Sequence, residues 1–195
     1  MSGMTKYSLM NDQDLMLYLQ QGEALAFDEL YNRYSKRLLG YFIRMLNFDR
    51  EKAQDSLHDV FLKIIEKPEQ FDRSRSFKSW VFTIAYNTCK NHYKHDGVVK
   101  EAKDELKHTT DVLDEKFFVS MAAKMDAVDF KKALNTELAS LPMDKKTTFV
   151  LRYQEDYSIN EIAEIMECSE GTVKSRIHYT LRILSEKLKI YNPLN

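Results

Sequence analysis

Apolar residues recur at intervals of three and four along most of this chain, the spacing that places them on one face of an α-helix. Leu15, Tyr18 and Leu19 predict a first helix over residues 13–21, capped by Asp12 and ended by Gly22. Phe27, Leu30, Tyr31, Tyr34, Leu38, Tyr41, Phe42, Met45 and Leu46 hold the same period through a long second helix, 24–46. Asn47, Phe48 and Asp49 form a turn, and Asp49 caps a third helix, 50–67, that Pro68 stops. Its apolar stripe is Leu57, Val60, Phe61, Ile64 and Ile65; its opposite face carries Asp55, Asp59, Lys63 and Glu66 around one apolar residue, Leu62. A polar loop over 68–76 contains Phe71. Ser76 then caps a fourth helix, 77–95, with Phe77, Trp80, Val81, Ile84, Ala85 and Thr88 on its core side. Ser79, Phe82, Tyr86, Lys90 and Tyr93 fall on the far side.

Beyond Gly97 the period fades. Residues 97–127 are charged, with scattered Val, Leu, Phe and Met, and read as a linker with a short helix near 113–125. A second helical block follows. Val128, Leu134, Leu138 and Leu141 mark a helix ended by Pro142; Phe149, Val150 and Tyr153 mark the next. The pattern predicts an all-α protein of two domains, 1–96 and 128–195, joined by that linker.

The clearest local signature is the stretch 157–188. Ser158 and Glu161 form a capping box, and Ile159, Ile162, Ala163 and Met166 follow at helical spacing. Glu167 and Cys168 break the pattern. Ser169 caps a final helix whose stripe is Val173, Ile177, Leu181, Leu184 and Leu188. At about 100° per residue, Ser175, Tyr179 and Arg182 lie opposite that stripe, with Lys174 and Arg176 on its flanks. A short helix, a tight turn and a longer helix with polar and basic residues outward fit a helix-turn-helix; a plain helical hairpin is the alternative. Charge favours the former. Acids alone occupy 155–170, while Lys174, Arg176, Arg182, Lys187 and Lys189 face only Glu186 over 172–189. Sorting by sign suggests that the last helix meets an anion.

Composition narrows the field. Of 195 residues, 44% are hydrophobic, with only 5 Gly and 3 Pro, which suits a helical chain with a core. The 2 cysteines, Cys89 and Cys168, lie in different segments, which suits a reducing cytosol and not a disulfide framework. No apolar run has the length of a signal peptide or membrane span, so a cytoplasmic protein without membrane insertion is expected. The net charge of −1 implies that any DNA binding is weak without a larger partner.

Enzymatic chemistry is not expected. The chain lacks a glycine-rich phosphate loop and a nucleophile elbow. Cys89, His92 and His95 have suggestive spacing, but they fan around the helix without a fourth ligand, so no metal or other cofactor is expected. On the far side of the fourth helix, aromatics alternate with bases, a composition suited to stacking melted bases beside phosphates. A helix buried on two sides would show the same pattern.

Four stretches then resemble the sigma-70 family of bacterial RNA polymerase sigma factors, in its extracytoplasmic-function (ECF) group. They are FDELYNRYSKRLLGYFIRML (27–46), AQDSLHDVFLKIIE (53–66), FKSWVFTIAYNTCKNHYK (77–94) and SINEIAEIMECSEGTVKSRIHYTLRIL (158–184). The resemblance implies binding to core RNA polymerase through Asp55, Asp59, Leu62 and Lys63. It implies promoter melting by Phe71, Trp80, Tyr86, Asn87, Lys90 and Tyr93. The upstream promoter element would be read in duplex DNA by Glu170, Thr172, Lys174, Ser175, Arg176, Tyr179 and Arg182. An anti-sigma protein is a further expected partner. The family often has arginine where Tyr86, Tyr179 and Leu181 stand, and glycine where Glu167 stands. The main rival reading is a helix-turn-helix regulator acting alone; the near-neutral charge and the fourth helix argue against it.

Overall fold

The computed structural model describes residues 6–95, 97 and 127–188. Nearly all of the expected linker, and the short helix expected near 113–125, lie outside the described residues. Helices dominate the rest, and no strand occurs among the described residues. The first unit contains α1 (Asp12–Gln20), α2 (Ala24–Met45), α3 (Arg50–Glu66), a single 3-10 turn (Pro68–Gln70) and α4 (Phe77–His95) as far as His92. The second contains α5 (Ala127–Ala139), α6 (Met143–Tyr153), the start of α7 (Ile159–Met166, whose residues 164–166 group with the first unit) and α8 (Glu170–Leu188).

Local chemistry sets the helix ends. Asn11, not Asp12, caps α1, its Oδ1 accepting the Asp14 amide at 2.8 Å. Asp12 is engaged elsewhere: it accepts from Arg33 Nη1 at 2.8 Å and from the Tyr34 hydroxyl. Either residue could cap, and the carboxylate goes where a guanidinium needs it. Arg33 also donates to Glu29 at 2.7 Å and to the carbonyls of Met10, Ser8 and Tyr7 at 2.9, 3.0 and 3.3 Å. This one side chain ties the chain entering α1 to the middle of α2. Burial, and then the bond to Asp12, push the Tyr34 hydroxyl far above its ordinary pKa.

After α1 the chain reverses at Gly22 (φ +88°), where the Glu23 amide reaches back to the Tyr18 carbonyl at 3.0 Å. Asp49 caps α3 as expected, accepting the Lys52 amide at 3.0 Å. Ser76 accepts the Ser79 amide at 3.4 Å at the start of α4.

Aromatic contacts lock the first unit. Phe61 of α3 meets Phe27 and Tyr31 of α2 at 5.8 and 4.7 Å between ring centroids. Phe77 and Phe82 of α4 meet Tyr34 and Tyr41 of α2 at 5.1 and 5.5 Å. Each fully buried side chain of this size contributes about 1.5–3 kcal/mol of transfer free energy. In the second unit, Leu134, Leu138, Phe149, Leu181, Leu184 and Leu188 form the centre of the core, where α8 packs on α5 and α6.

Two face assignments need correction. Ile65 is 47% exposed and does not belong to the α3 stripe, whereas Val60 and Ile64 are fully buried. On α4 the far side is not open: Phe82 is fully buried, Tyr86 is 5% exposed and Ser79 is buried as well. α4 is buried on two sides, which leaves only a narrow open strip along it.

Candidate nucleic-acid and polymerase surfaces

The α7–turn–α8 geometry follows from three short-range devices. Ser158 and Glu161 satisfy each other reciprocally: the Ser158 amide donates to Glu161 Oε2 at 2.8 Å, and the Glu161 amide donates to Ser158 Oγ at 3.2 Å. At the other end of α7 the Cys168 amide bonds the Ala163 carbonyl at 3.0 Å across Glu167, whose φ is +52°. That is a Schellman closure with a glutamate in the left-handed position that favours glycine. Ser169 then starts α8 by accepting the Thr172 amide at 3.1 Å. Val173, Leu181, Leu184 and Leu188 are buried, so the opposite face of α8 is the open one. Lys174 and Arg182 are exposed there, and Thr172, Ser175 and Tyr179 are half-buried. Exposed Glu170 lies 3.5 Å from Lys174 Nζ, a one-turn surface pair of little consequence.

Arg176 departs from expectation. Its side chain is only 11% exposed, with Nη2 on Asp144 Oδ2 at 2.8 Å and Nη1 3.9 Å from Cys168 Sγ. It braces the first turns of α8 against α6 instead of standing open to a ligand. Lys187 is likewise held, by Glu137 at 2.7 Å and Ser140 Oγ at 2.9 Å. Acids of α5 and α6 thus neutralise two of the bases that made α8 look uniformly cationic. The open positive charge on α8 reduces to Lys174 and Arg182.

On α4, Asn87 and Lys90 are exposed, and Trp80 and Tyr93 are partly so. Phe71 and Tyr86, expected to help melt the promoter, both lie in the core. Phe71 is 3% exposed and packs on Phe77 and Trp80 at 5.6 and 5.2 Å. The Tyr86 ring is 5% exposed and has Lys90 Nζ 5.9 Å from its centroid. His92 sits with Nε2 3.1 Å from Ser56 Oγ. Among the described residues, no group of three His, Cys, Asp or Glu side chains is placed to hold a metal ion.

On α3, Asp55, Asp59 and Lys63 are exposed as expected, around Leu62 at 53% exposure. The sequence reading missed Ile65 here. It lies about 60° around the helix from Leu62. That angle puts it at the stripe's edge, where period alone does not choose a side. The two side chains double the apolar part of this face.

Comparison with known proteins decides the family. Residues 30–97 match the family model for sigma-70 region 2, and residues 131–184 match that for sigma-70 region 4. The RNA polymerase sigma-H factor of Pseudomonas aeruginosa is 30% identical over 187 residues, covering 91% of this chain and 94% of that protein. The ECF RNA polymerase sigma-E factor of Haemophilus influenzae is 29% identical over 184 residues, covering 92% and 96%. The chain belongs to the ECF group of the sigma-70 family. As a sigma factor it binds core RNA polymerase and directs initiation at particular promoters. Members of the family are regulatory proteins, not catalysts. The region 2 match sets aside a lone regulator with an N-terminal sensor.

Two solved structures share the fold. CnrH, in complex with the cytosolic domain of CnrY, superposes with a TM-score of 0.67 at 20% identity, covering 92% of this sigma factor and 97% of CnrH. The sigma factor RpoE of Bartonella quintana, in complex with the anti-sigma factor NepR, gives 0.57 at 26% identity, covering 84% and 97%. No described helix of this sigma factor is long and apolar enough to cross a membrane.

Proposed function

We propose that the sigma factor divides promoter recognition between its two units, with the linker spanning residues 97–127. In the C-terminal unit, 128–195, Thr172, Lys174, Ser175, Tyr179 and Arg182 face the upstream element, with Glu170 at the rim of the same surface. The first turns of α8 enter the major groove, as the second helix of a helix-turn-helix does. In the N-terminal unit, 1–96, Trp80, Asn87, Lys90 and Tyr93 line the path of the melted strand. Asp55, Asp59, Leu62, Lys63 and Ile65 meet core polymerase. The observation that carries this division is the paired exposure of Leu62 and Ile65 within an acidic ring on α3. Two large apolar side chains held in water are best covered by a partner. A regulator of the anti-sigma class, of the kind bound to the Bartonella protein, would act by covering these same surfaces. The site of action is the cytoplasm, where the polymerase works.

A gel shift on duplex promoter, with and without core enzyme, tests the division. A specific shift is expected only with core present. A specific shift of equal affinity by the free chain would overturn it.

A further inference from the structure

The first turn of α6 bears directly on the open face of α8. Thr180, fully buried, lies with Oγ1 3.5 Å from the Lys145 carbonyl, and Asp144 holds Arg176 at 2.8 Å. These contacts fix Lys145 beside Tyr179. Its Nζ stands 5.7 Å from the Tyr179 ring centroid, and Arg182 Cζ stands 5.1 Å from the same centroid. One ring therefore carries two cations, each held by cation–π attraction.

Charge sharpens the point. Arg176 and Lys187 are matched with carboxylates at 2.8 and 2.7 Å. Among the described residues no carboxylate pairs with Lys145 or Arg182. Two like charges gathered on one ring repel each other, and an anion between them relieves that repulsion. Arg182 lies about 20° around α8 from Ser175, so the pair continues the surface that faces the duplex. A phosphate of the DNA backbone has the charge and the position to fill the gap.

We infer that Lys145, on the helix before the helix-turn-helix, closes a backbone-phosphate grip with Tyr179 and Arg182. The inference rests on the reading of α8 as the helix that enters the upstream element. Lys145 positions the duplex and carries no sequence information.

Holoenzyme binding to promoter DNA, measured by anisotropy across a salt series, tests it. Lys145→Ala should flatten the slope of log affinity against log salt by about 0.9, a loss of about five-fold at 0.15 M salt relative to 1 M. Arg182→Ala should do the same, and Lys145→Arg should keep the wild-type slope. Upstream-element preference should not change, and Lys131→Ala, on exposed α5 surface, should alter nothing. Amide protection of α6 and α8 equal to wild type shows that each variant is folded. A wild-type slope in folded Lys145→Ala, while Lys174→Ala and Ser175→Ala weaken binding, overturns the grip alone. If none of the three weakens binding, the reading of α8 falls with it.

Discussion

Glu167→Gly should stabilise the C-terminal unit. Glu167 sits at φ +52° at the end of α7, where the Cys168 amide spans it to reach Ala163. An L-residue in that conformation costs about 1–2 kcal/mol, and glycine removes the cost. Against this, glycine loosens the unfolded chain by about 0.4–1 kcal/mol. The exposed carboxylate also stands at the negative end of the α7 dipole, and its removal returns about 0.3 kcal/mol. The balance is about 1 kcal/mol in favour of glycine, or about 4–8 °C in melting temperature for a unit of this size. Calorimetry of the full chain, with hydrogen exchange at buried Val173 and Leu184 to localise the effect, reads it. Glu164→Gly, inside α7, should move the other way by at least about 0.5–1 kcal/mol, because glycine there adds backbone entropy to lose. If both variants destabilise alike, the left-handed turn is not a source of strain and the reasoning fails.

Three further outcomes are expected. Asp59→Arg with Leu62→Arg should abolish co-elution with core polymerase while the melting curve stays unchanged; retained co-elution of the folded double variant would remove α3 from the interface. Arg176→Ala should destabilise the C-terminal unit and scale all promoters down alike. A double-mutant cycle with Asp144→Ala should give a coupling of about 1 kcal/mol; a changed promoter preference would instead make Arg176 a reader of bases. Tyr86→Ala should cost about 3–5 kcal/mol of folding stability, as loss of a buried aromatic does, whereas Asn87→Ala and Lys90→Ala should lower permanganate reactivity of the open promoter without moving the melting temperature. Unchanged stability in Tyr86→Ala would contradict its burial.

The capping residues illustrate what the amino-acid sequence discloses. Asp49, Ser76, Ser158 with Glu161, and Ser169 act on amides three residues away, so their roles are written in nearby letters. The helix-turn-helix was legible for the same reason. Arg176 was not, because its partner Asp144 lies 32 residues earlier and only folding brings the two together. The far side of α4 failed differently. Periodicity reports that one face is more apolar than another, not how many neighbours a helix has. Pattern alone therefore left an outward platform and a two-sided burial both open for Phe82 and Tyr86; Tyr41 of α2, 5.5 Å from the Phe82 ring, and the burial of Tyr86 decide for the latter. Asn11 and Asp12 are both good caps, and the choice between them depended on Arg33 in another helix.

Arg33 gives the segment before α1 a reach beyond its own length. Three backbone carbonyls, from Tyr7, Ser8 and Met10, share a guanidinium that is only 26% exposed. A protease cut or an engineered start just after Met10 would leave most of the core intact. It would also strip those acceptors from a cation embedded halfway along α2, with only Asp12 and Glu29 left to hold it. Water would have to enter between α1 and α2 to replace them, so trimming at the edge would loosen the middle of the unit.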